Sequence, residues 1–396
     1  MKLDYFERKQ AILLSKIDMK YIRIKYYQML SSNERLLGII GARGVGKTTL
    51  LLQYIKKLSQ KALYVSGDDI EFTNTRLYDL IDEFYALGGR VVVVDEVHQY
   101  KNWAMEVKNL YDAFPDLTLR ISGSSMVNIL YEKYDLSRRL VLIHMKGLSF
   151  REYFEMEKGI ELEVLPLERI LHNAPTISKE LMFKYEDLYA KFRNFLEYGT
   201  YPFYLEGLTH FEGKLFNAID KIIHEDIPSL NKIDYTHVSI FQKLLFMVAS
   251  SKKPFSVSMA ALSREFGISE PTLYIYMEIL DRTGIFKSMK KYSANLSKKP
   301  QKLLFANSSI LYAYTHKFGL EPDIGTVRET FFVNCFDEIF YSDIGDFRVG
   351  ENIFEVGGKN KEFTQIKGVE KSYLAVDTDF TTHPNKIPLW LFGLLE

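Results

Sequence analysis

Gly41, Gly46, Lys47 and Thr48 stand in the order G-x-x-x-x-G-K-[ST], inside the stretch LGIIGARGVGKTTLLLQ at residues 37–53. Those residue types at that spacing suit the binding of a nucleotide's phosphates. Gly41, Gly44 and Gly46 let the backbone turn its N–H groups inward around phosphate oxygens, where a Cβ would obstruct. Lys47 brings a point charge to the β- and γ-phosphates, and Thr48 offers a hydroxyl to Mg2+. The helix that opens near Lys47 adds its positive end. The binding set is then Gly41, Ala42, Arg43, Gly44, Val45, Gly46, Lys47, Thr48 and Thr49, and the expected ligands are ATP and Mg2+.

A second set is RVVVVDE at residues 90–96. Four consecutive valines suit a parallel strand buried on both faces. At its carboxyl end Asp95 is expected to hold Mg2+ through water, and Glu96 to orient or deprotonate the attacking water. A helix N-cap is the plainer alternative for the acidic pair. His98 reads as a coupling or structural histidine. Another strand, Leu117 to Ile121, ends in Ser122-Gly123-Ser124-Ser125. A polar residue there can touch the γ-phosphate or the water; Ser122 and Ser124 both qualify, and Ser124 is carried as the catalytic candidate. A Ser/Gly turn is the simpler reading. Arg138-Arg139 follows, where an arginine can stabilise charge on the transferring phosphoryl group, in its own subunit or a neighbour's. An ordinary surface arginine is the alternative.

These residues need a scaffold of alternating strands and helices, and residues 35–149 supply one: an α/β core with a mostly parallel sheet. Residues 1–34 mix charged with apolar residues at helical spacing, predicting one or two helices packed on that core. Residues 150–248 are helix-rich, with Tyr198-Gly199-Thr200-Tyr201-Pro202 as the strong turn, and read as a lid. In residues 249–300, a helix from Met259 to Phe266, a Gly267-Ile268-Ser269 turn and a helix from Glu270 to Arg282 precede a basic segment from Ile285 to Tyr292. That order predicts a winged helix-turn-helix. Lys287, Lys290, Lys291, Lys298, Lys299 and Lys302 are expected to meet the phosphates of duplex DNA. The second helix itself carries Tyr274, Tyr276, Met277 and few cations. Residues 301–396 return to mixed structure, with a helix from Val327 to Phe340 and strand-like pieces at 346–349, 352–356 and 373–377.

At 396 residues the chain is long enough for two to four domains. Lys+Arg and Asp+Glu both number 51, so no global field draws it to nucleic acid or an anionic membrane. Contact with DNA has to come from a local basic face. Cys335 is the single cysteine, which excludes an internal disulfide and a multi-cysteine zinc site. The start MKLDYFERKQ lacks the apolar core of a signal peptide. No apolar run approaches the ~20 residues that span a bilayer. The expectation is a cytoplasmic protein without a membrane partner.

Several separated motifs agree in one further respect. The chain resembles the prokaryotic AAA-type ATPases that pair an ATPase core and winged helix with a C-terminal domain of PD-(D/E)XK nuclease ancestry. GARGVGKTTLLLQ is similar to their phosphate loop, and DEVHQYKNW with EVKNLYD and SGSS to their acidic motif and sensor strand. LSRRLVLIHMKGLSFREY resembles the segment in which the family keeps an arginine, favouring Arg139 over Arg138. YGTYP is similar to the Gly-x-Pro turn of the lid, and RETFFVN and FEVGGKNKEFTQI to the C-terminal domain.

The resemblance implies an AAA-type P-loop core at 35–149, a helical lid at 150–248, a winged helix at 249–300 and a nuclease-like α/β domain at 301–396. It also implies Mg2+-dependent ATP hydrolysis that drives a switch, acting on DNA, with self-association through Arg139 and no protein partner named. The alternatives are a DNA-binding regulator gated by ATP occupancy and an ATP-dependent nuclease. An active nuclease of that fold needs an acid on one strand and Glu-x-Lys on the next. Asp346 and Glu355 supply carboxylates, but the lysine position is Gly357, with Lys359 two residues on. The C-terminal domain is therefore expected to be inactive and kept for packing or partner binding.

Overall fold

The computed structural model describes residues 2–123, 136, 138–228, 233, 237–292 and 299–395. The chain divides into two compact units, residues 1–147 and 148–396.

The first unit is α/β. Its strands are β1 (Leu36–Ile40), β2 (Ala62–Ser66), β3 (Val91–Asp95), β4 (Thr118–Gly123) and β5 (Val141–His144), all parallel, in the order β2-β3-β4-β1-β5. Every residue of β1 and β3 is buried, which is why both read as unbroken apolar runs and not as alternating ones. Around the sheet lie α1 (Lys2–Lys16), α2 (Ile24–Leu30), α3 (Lys47–Lys57), α4 (Leu77–Ala86) and α5 (Trp103–Ala113). The expected N-terminal helices are present, and α1 sets Leu3 and Phe6 into the core that Leu36, Val92, Val94 and Ile121 share with Phe84 and Trp103. Gly88, at φ +86°, ends the turn after α4 in the left-handed conformation a glycine adopts without steric cost.

Between β1 and β3 lies β4, with Leu36 opposite Leu119 and Val94 opposite Ile121. The carboxyl ends of three adjacent strands therefore open on one edge, the place where open α/β sheets bind ligands. Inside β4, Arg120 is 1% exposed. Its guanidinium donates to the carbonyls of Leu30 (2.7 Å), Glu34 (2.8 Å) and Ser32 (3.0 Å), closing the turn after α2.

The second unit begins with four helices, α6 (Phe150–Lys158), α7 (Leu167–Lys184), α8 (Leu188–Asn194) and α9 (Phe211–Lys221). Ser149 and Glu152 form a reciprocal capping box at the start of α6, satisfying two amide donors that the helix cannot use. Next come α10 (Val238–Ala249), β6 (Phe255–Ser256), α11 (Met259–Phe266), α12 (Glu270–Arg282), β7 (Phe286–Lys290) and β8 (Pro300–Phe305). Strands β6, β8 and β7 pair antiparallel in that order. The turn between α11 and α12 holds Gly267 at φ +67°, and Ser258 and Ser269 cap the two helices.

The remaining elements are α13 (Ser308–Lys317), α14 (Ile324–Asn334), β9 (Phe340–Tyr341), β10 (Phe347–Val349), β11 (Asn352–Gly358), β12 (Ser372–Asp377) and β13 (Lys386–Pro388). They make a sheet ordered β13-β12-β11-β10-β9, in which β11, β12 and β13 run parallel and β9 and β10 antiparallel. Phe332 of α14 packs on Phe354 and Phe392, with ring centroids 5.1 and 4.9 Å away. The helix read from periodicity as reaching Phe340 ends at Asn334, where Lys287 donates to the carbonyls of Val333 in its last turn and of Phe336 just beyond it. No helix among the described residues is long and apolar enough to cross a membrane.

Candidate functional site

The loop after β1 takes its shape from glycines, for two different reasons. Gly44 (φ +83°) and Gly46 (φ +97°) adopt left-handed backbone conformations, and Gly46 caps α3. At Gly41 the constraint is close approach: a Cβ would stand 2.2 Å from the carbonyl oxygen of Met145, just past β5. Lys47 is buried and folds back over the loop, its ammonium 2.8 Å from the Gly41 carbonyl and 3.0 Å from that of Ala42. Thr48 and Thr49 are exposed at the start of α3.

Asp95, at the end of β3, is 2% exposed and fully engaged. Its Oδ2 accepts from the Thr48 hydroxyl at 2.6 Å and from the Tyr64 hydroxyl at 2.7 Å. Its Oδ1 accepts from the Ser122 hydroxyl and, at 3.1 Å, from the Glu96 amide. That set of hard oxygens, an alcohol beside a carboxylate, fits Mg2+. Thr48 and Asp95 are the residues that would hold it; because the hydroxyl hydrogen goes to Asp95, the Thr48 lone pairs are left for a cation.

Glu96 is one of three non-glycine residues at positive φ among those described (φ 46°, ψ 41°). Such a backbone is costly for a side-chain-bearing residue and persists only where neighbours enforce it. Two neighbours do so. The Ser122 Oγ accepts from the Glu96 amide at 3.1 Å, and Gly67 lies so near that a Cβ there would be 2.6 Å from the Glu96 carbonyl oxygen. His98, with a buried side chain, places Nε2 3.6 Å from Glu96 Oε2.

The structure thus brings together Lys47, Thr48, Asp95, Glu96 and Ser122. Ser124 lies outside the described residues, and Ser122 faces Asp95 and the Glu96 amide. Arg139 is elsewhere: it forms a two-pronged pair with Asp112 at 2.9 and 3.0 Å, with its guanidinium over Tyr111. Val141 is in register with Leu37, so Arg139 sits at the amino end of the sheet, about 20 Å of strand below the phosphate loop at ~3.3 Å per residue. A role at its own subunit's loop is incompatible with that position.

Three contributors escape a reading by motif. Tyr64 looks like an ordinary strand residue, and Gly67 like a turn glycine. Arg23, buried ahead of the loop, donates to the carbonyls of Lys146 (2.7 Å) and Gly147 (3.0 Å) and reaches that of Val45 at 3.4 Å. It ties the phosphate loop to the segment that leaves β5.

In the second unit the basic segment differs from expectation. Lys287 caps α14, Lys291 pairs with Asp343, and Lys302 lies 3.8 Å from Glu329 with its ammonium over Tyr341. Lys287 and Lys302 face protein and not phosphate, while Lys291 stays exposed beside Asp343, next to the Lys291–Tyr341 bridge at the end of β7. Lys290, Lys291 and Lys299 are exposed, and Lys298 lies outside the described residues.

The C-terminal carboxylates are also rearranged. Lys361, and not Lys359, reaches Glu355 at 2.5 Å. A Cβ on Gly357 would meet the Lys361 stem at 2.8–3.0 Å, so the stem of one lysine fills the space where a side chain at 357 would begin. Asp346 accepts from the Val356 amide at 2.9 Å. Among the described residues no group of three or more His, Cys, Asp and Glu is arranged to hold a metal ion.

Glu329 stands beside this cluster, and burial, helped by Asp346, pushes it up to about 8. The folded protein then keeps a proton that the unfolded chain releases near pH 4.5. Stability from this group is full below that pH and is lost as pH rises towards 8. The melting temperature is expected to decline over that window, and Glu329→Gln to flatten the decline; parallel pH profiles for the two proteins would clear Glu329 of the effect.

A parallel sheet with a phosphate loop after its first strand and an acidic pair at the end of its third is the arrangement of a P-loop nucleotide-binding domain. Residues 33–154 match a family profile described as an AAA domain, and residues 189–321 match a domain of unknown function, DUF8612. The chain is 28% identical over 329 residues to the uncharacterized protein MJ1637 of Methanocaldococcus jannaschii, covering 79% of this chain and 67% of that one. Among solved structures it is similar to the Walker-type ATPase paby2304 of Pyrococcus abyssi, with TM-score 0.42 and 14% identity over 73% of this chain and 93% of that one. It is also similar to AMPPCP-bound DnaA from Aquifex aeolicus, with TM-score 0.26 and 15% identity over 67% of this chain and 92% of that one.

Proposed function

We propose that the protein binds ATP with Mg2+ and hydrolyses it to ADP and phosphate as a nucleotide-driven switch. The observation that carries this reading is the meeting of Thr48 and Asp95 at 2.6 Å beside Lys47, with Glu96 as the next residue. Lys47 leaves the carbonyls it now caps and takes the β- and γ-phosphates, with the amides of the loop around them. Bound Mg2+ neutralises charge on the phosphate oxygens. Glu96 accepts the proton of the attacking water, and its enforced backbone conformation fixes where that carboxylate stands. Loss of the γ-phosphate is then the signal, as in other nucleotide switches.

The partner acted on is proposed to be duplex DNA, through α11, α12 and the β7–β8 hairpin, whose order suits a winged helix-turn-helix. The basic face is narrower than the sequence suggests: Lys287 and Lys302 are turned to protein groups, and Lys290, Lys291 and Lys299 remain exposed on the hairpin, with Arg264 on α11. On α12, Pro271, Ile275 and Glu278 face solvent and Arg282 pairs with Glu278. The deciding experiment is phosphate release by the wild type with and without duplex DNA, beside a Lys47→Ala control. Hydrolysis abolished by Lys47→Ala supports the ATPase reading, and turnover equal in the two proteins ends it. If duplex neither binds nor changes the rate, the DNA proposal gives way to a protein partner.

Arg139 is proposed to complete a neighbouring subunit's site. Hydrolysis per subunit is then expected to rise with protein concentration. Mixing Arg139→Ala with Glu96→Gln is expected to restore activity, because an intact arginine can meet an intact acidic pair. Concentration-independent turnover with no recovery would leave Arg139 as the surface partner of Asp112.

A further inference from the structure

The motifs that define the site assign nothing to β2, yet β2 sends one side chain into it. Tyr64 is 6% exposed, lies opposite Val93 of β3, and donates to Asp95 Oδ2 at 2.7 Å. That same oxygen accepts from Thr48. The Thr48 hydroxyl can turn about its bond, and its lone pairs point at a cation only while its hydrogen is held by Asp95. The orientation therefore depends on Oδ2 staying in place. A carboxylate is free to rotate about its last torsion, which is broad. A buried tyrosine, with two side-chain torsions and a rigid ring, is a good post against that rotation.

We propose that Tyr64 is a positioning residue for the divalent-cation site, holding Asp95 Oδ2 so that Thr48 presents its lone pairs to Mg2+. This rests on the ATPase reading and adds to it a residue outside both motifs. Ser122 and the Glu96 amide hold the other oxygen. Tyr64 and Thr48 share Oδ2, and the Tyr64 hydroxyl can be removed without touching either motif.

The test is binding of a fluorescent ATP analogue to wild type and Tyr64→Phe, first in EDTA and then across a Mg2+ titration. Phenylalanine keeps the ring and removes only the donor. Metal-free affinity is expected to stay within about twofold, while the Mg2+ concentration at half-saturation rises about three- to tenfold, the range for the net worth of one ordinary hydrogen bond. In an Asp95→Asn background the Tyr64→Phe change is expected to have no further effect on the Mg2+ midpoint, as it must if the tyrosine acts through that carboxylate. An unmoved or lowered midpoint in Tyr64→Phe overturns the proposal. So does a variant too unstable to assay, because the phenol would then serve the fold. Wild type that binds no nucleotide in either condition defeats the ATPase reading and this proposal with it; nucleotide binding with an unmoved midpoint defeats only this one.

Discussion

Glu96→Gln is expected to bind ATP within about twofold of wild type and to hydrolyse it about 10²–10³-fold more slowly, in the range for loss of a general base. Lys47→Ala is expected to fail earlier, losing more than about tenfold in nucleotide affinity, since Lys47 holds phosphate charge in the ground state. The two defects separate because the residues act at different stages. Glutamine keeps the shape of glutamate, and the backbone at 96 is fixed by Ser122 and Gly67. The substitution therefore changes the carboxylate and little else. Equilibrium binding of a fluorescent ATP analogue beside steady-state phosphate release reads both quantities. Turnover by Glu96→Gln within about threefold of wild type would remove Glu96 from the chemistry.

The second large effect concerns the fold. Arg120→Ala is expected to cost about 3–5 kcal/mol, combining the cavity of a deleted large side chain with acceptors left unanswered. The carbonyls of Leu30, Ser32 and Glu34 all lean on one guanidinium that is itself buried. Urea denaturation measures the cost. A loss below about 1 kcal/mol would mean that the turn after α2 closes without Arg120.

What the sequence made legible is what local chemistry constrains. Four valines before two acids read as a doubly buried strand ending at a site, and β3 is that strand. Glycines in the loop were expected from their freedom of backbone, and Gly44 and Gly46 use it. The reason for Gly41, the Met145 carbonyl, lies just past a strand about a hundred residues away and leaves no local trace. Tyr64 and Arg23 were illegible for the same reason. A tyrosine in a strand reads as core, and its 31-residue reach to Asp95 exists only once β2 pairs with β3. The lysine segment erred in the opposite direction. Clustered cations suggest phosphate, but the pairing that sets Lys287 beneath the end of α14 and Lys302 beside Glu329 is tertiary. In the same way Lys361 answers Glu355 across a spacing that no fixed pattern includes.

The position of Arg139 carries a consequence for symmetry. A side chain at the base of the sheet serves a loop at the crown only in another copy, so such contacts run head to tail. Head-to-tail contacts are heterologous: they close into a ring if the rotation between copies returns on itself, and otherwise continue as a filament. A ring would complete every loop at once. A filament would leave the loop at one end without its arginine, so the mean rate per subunit would climb with filament length and level off.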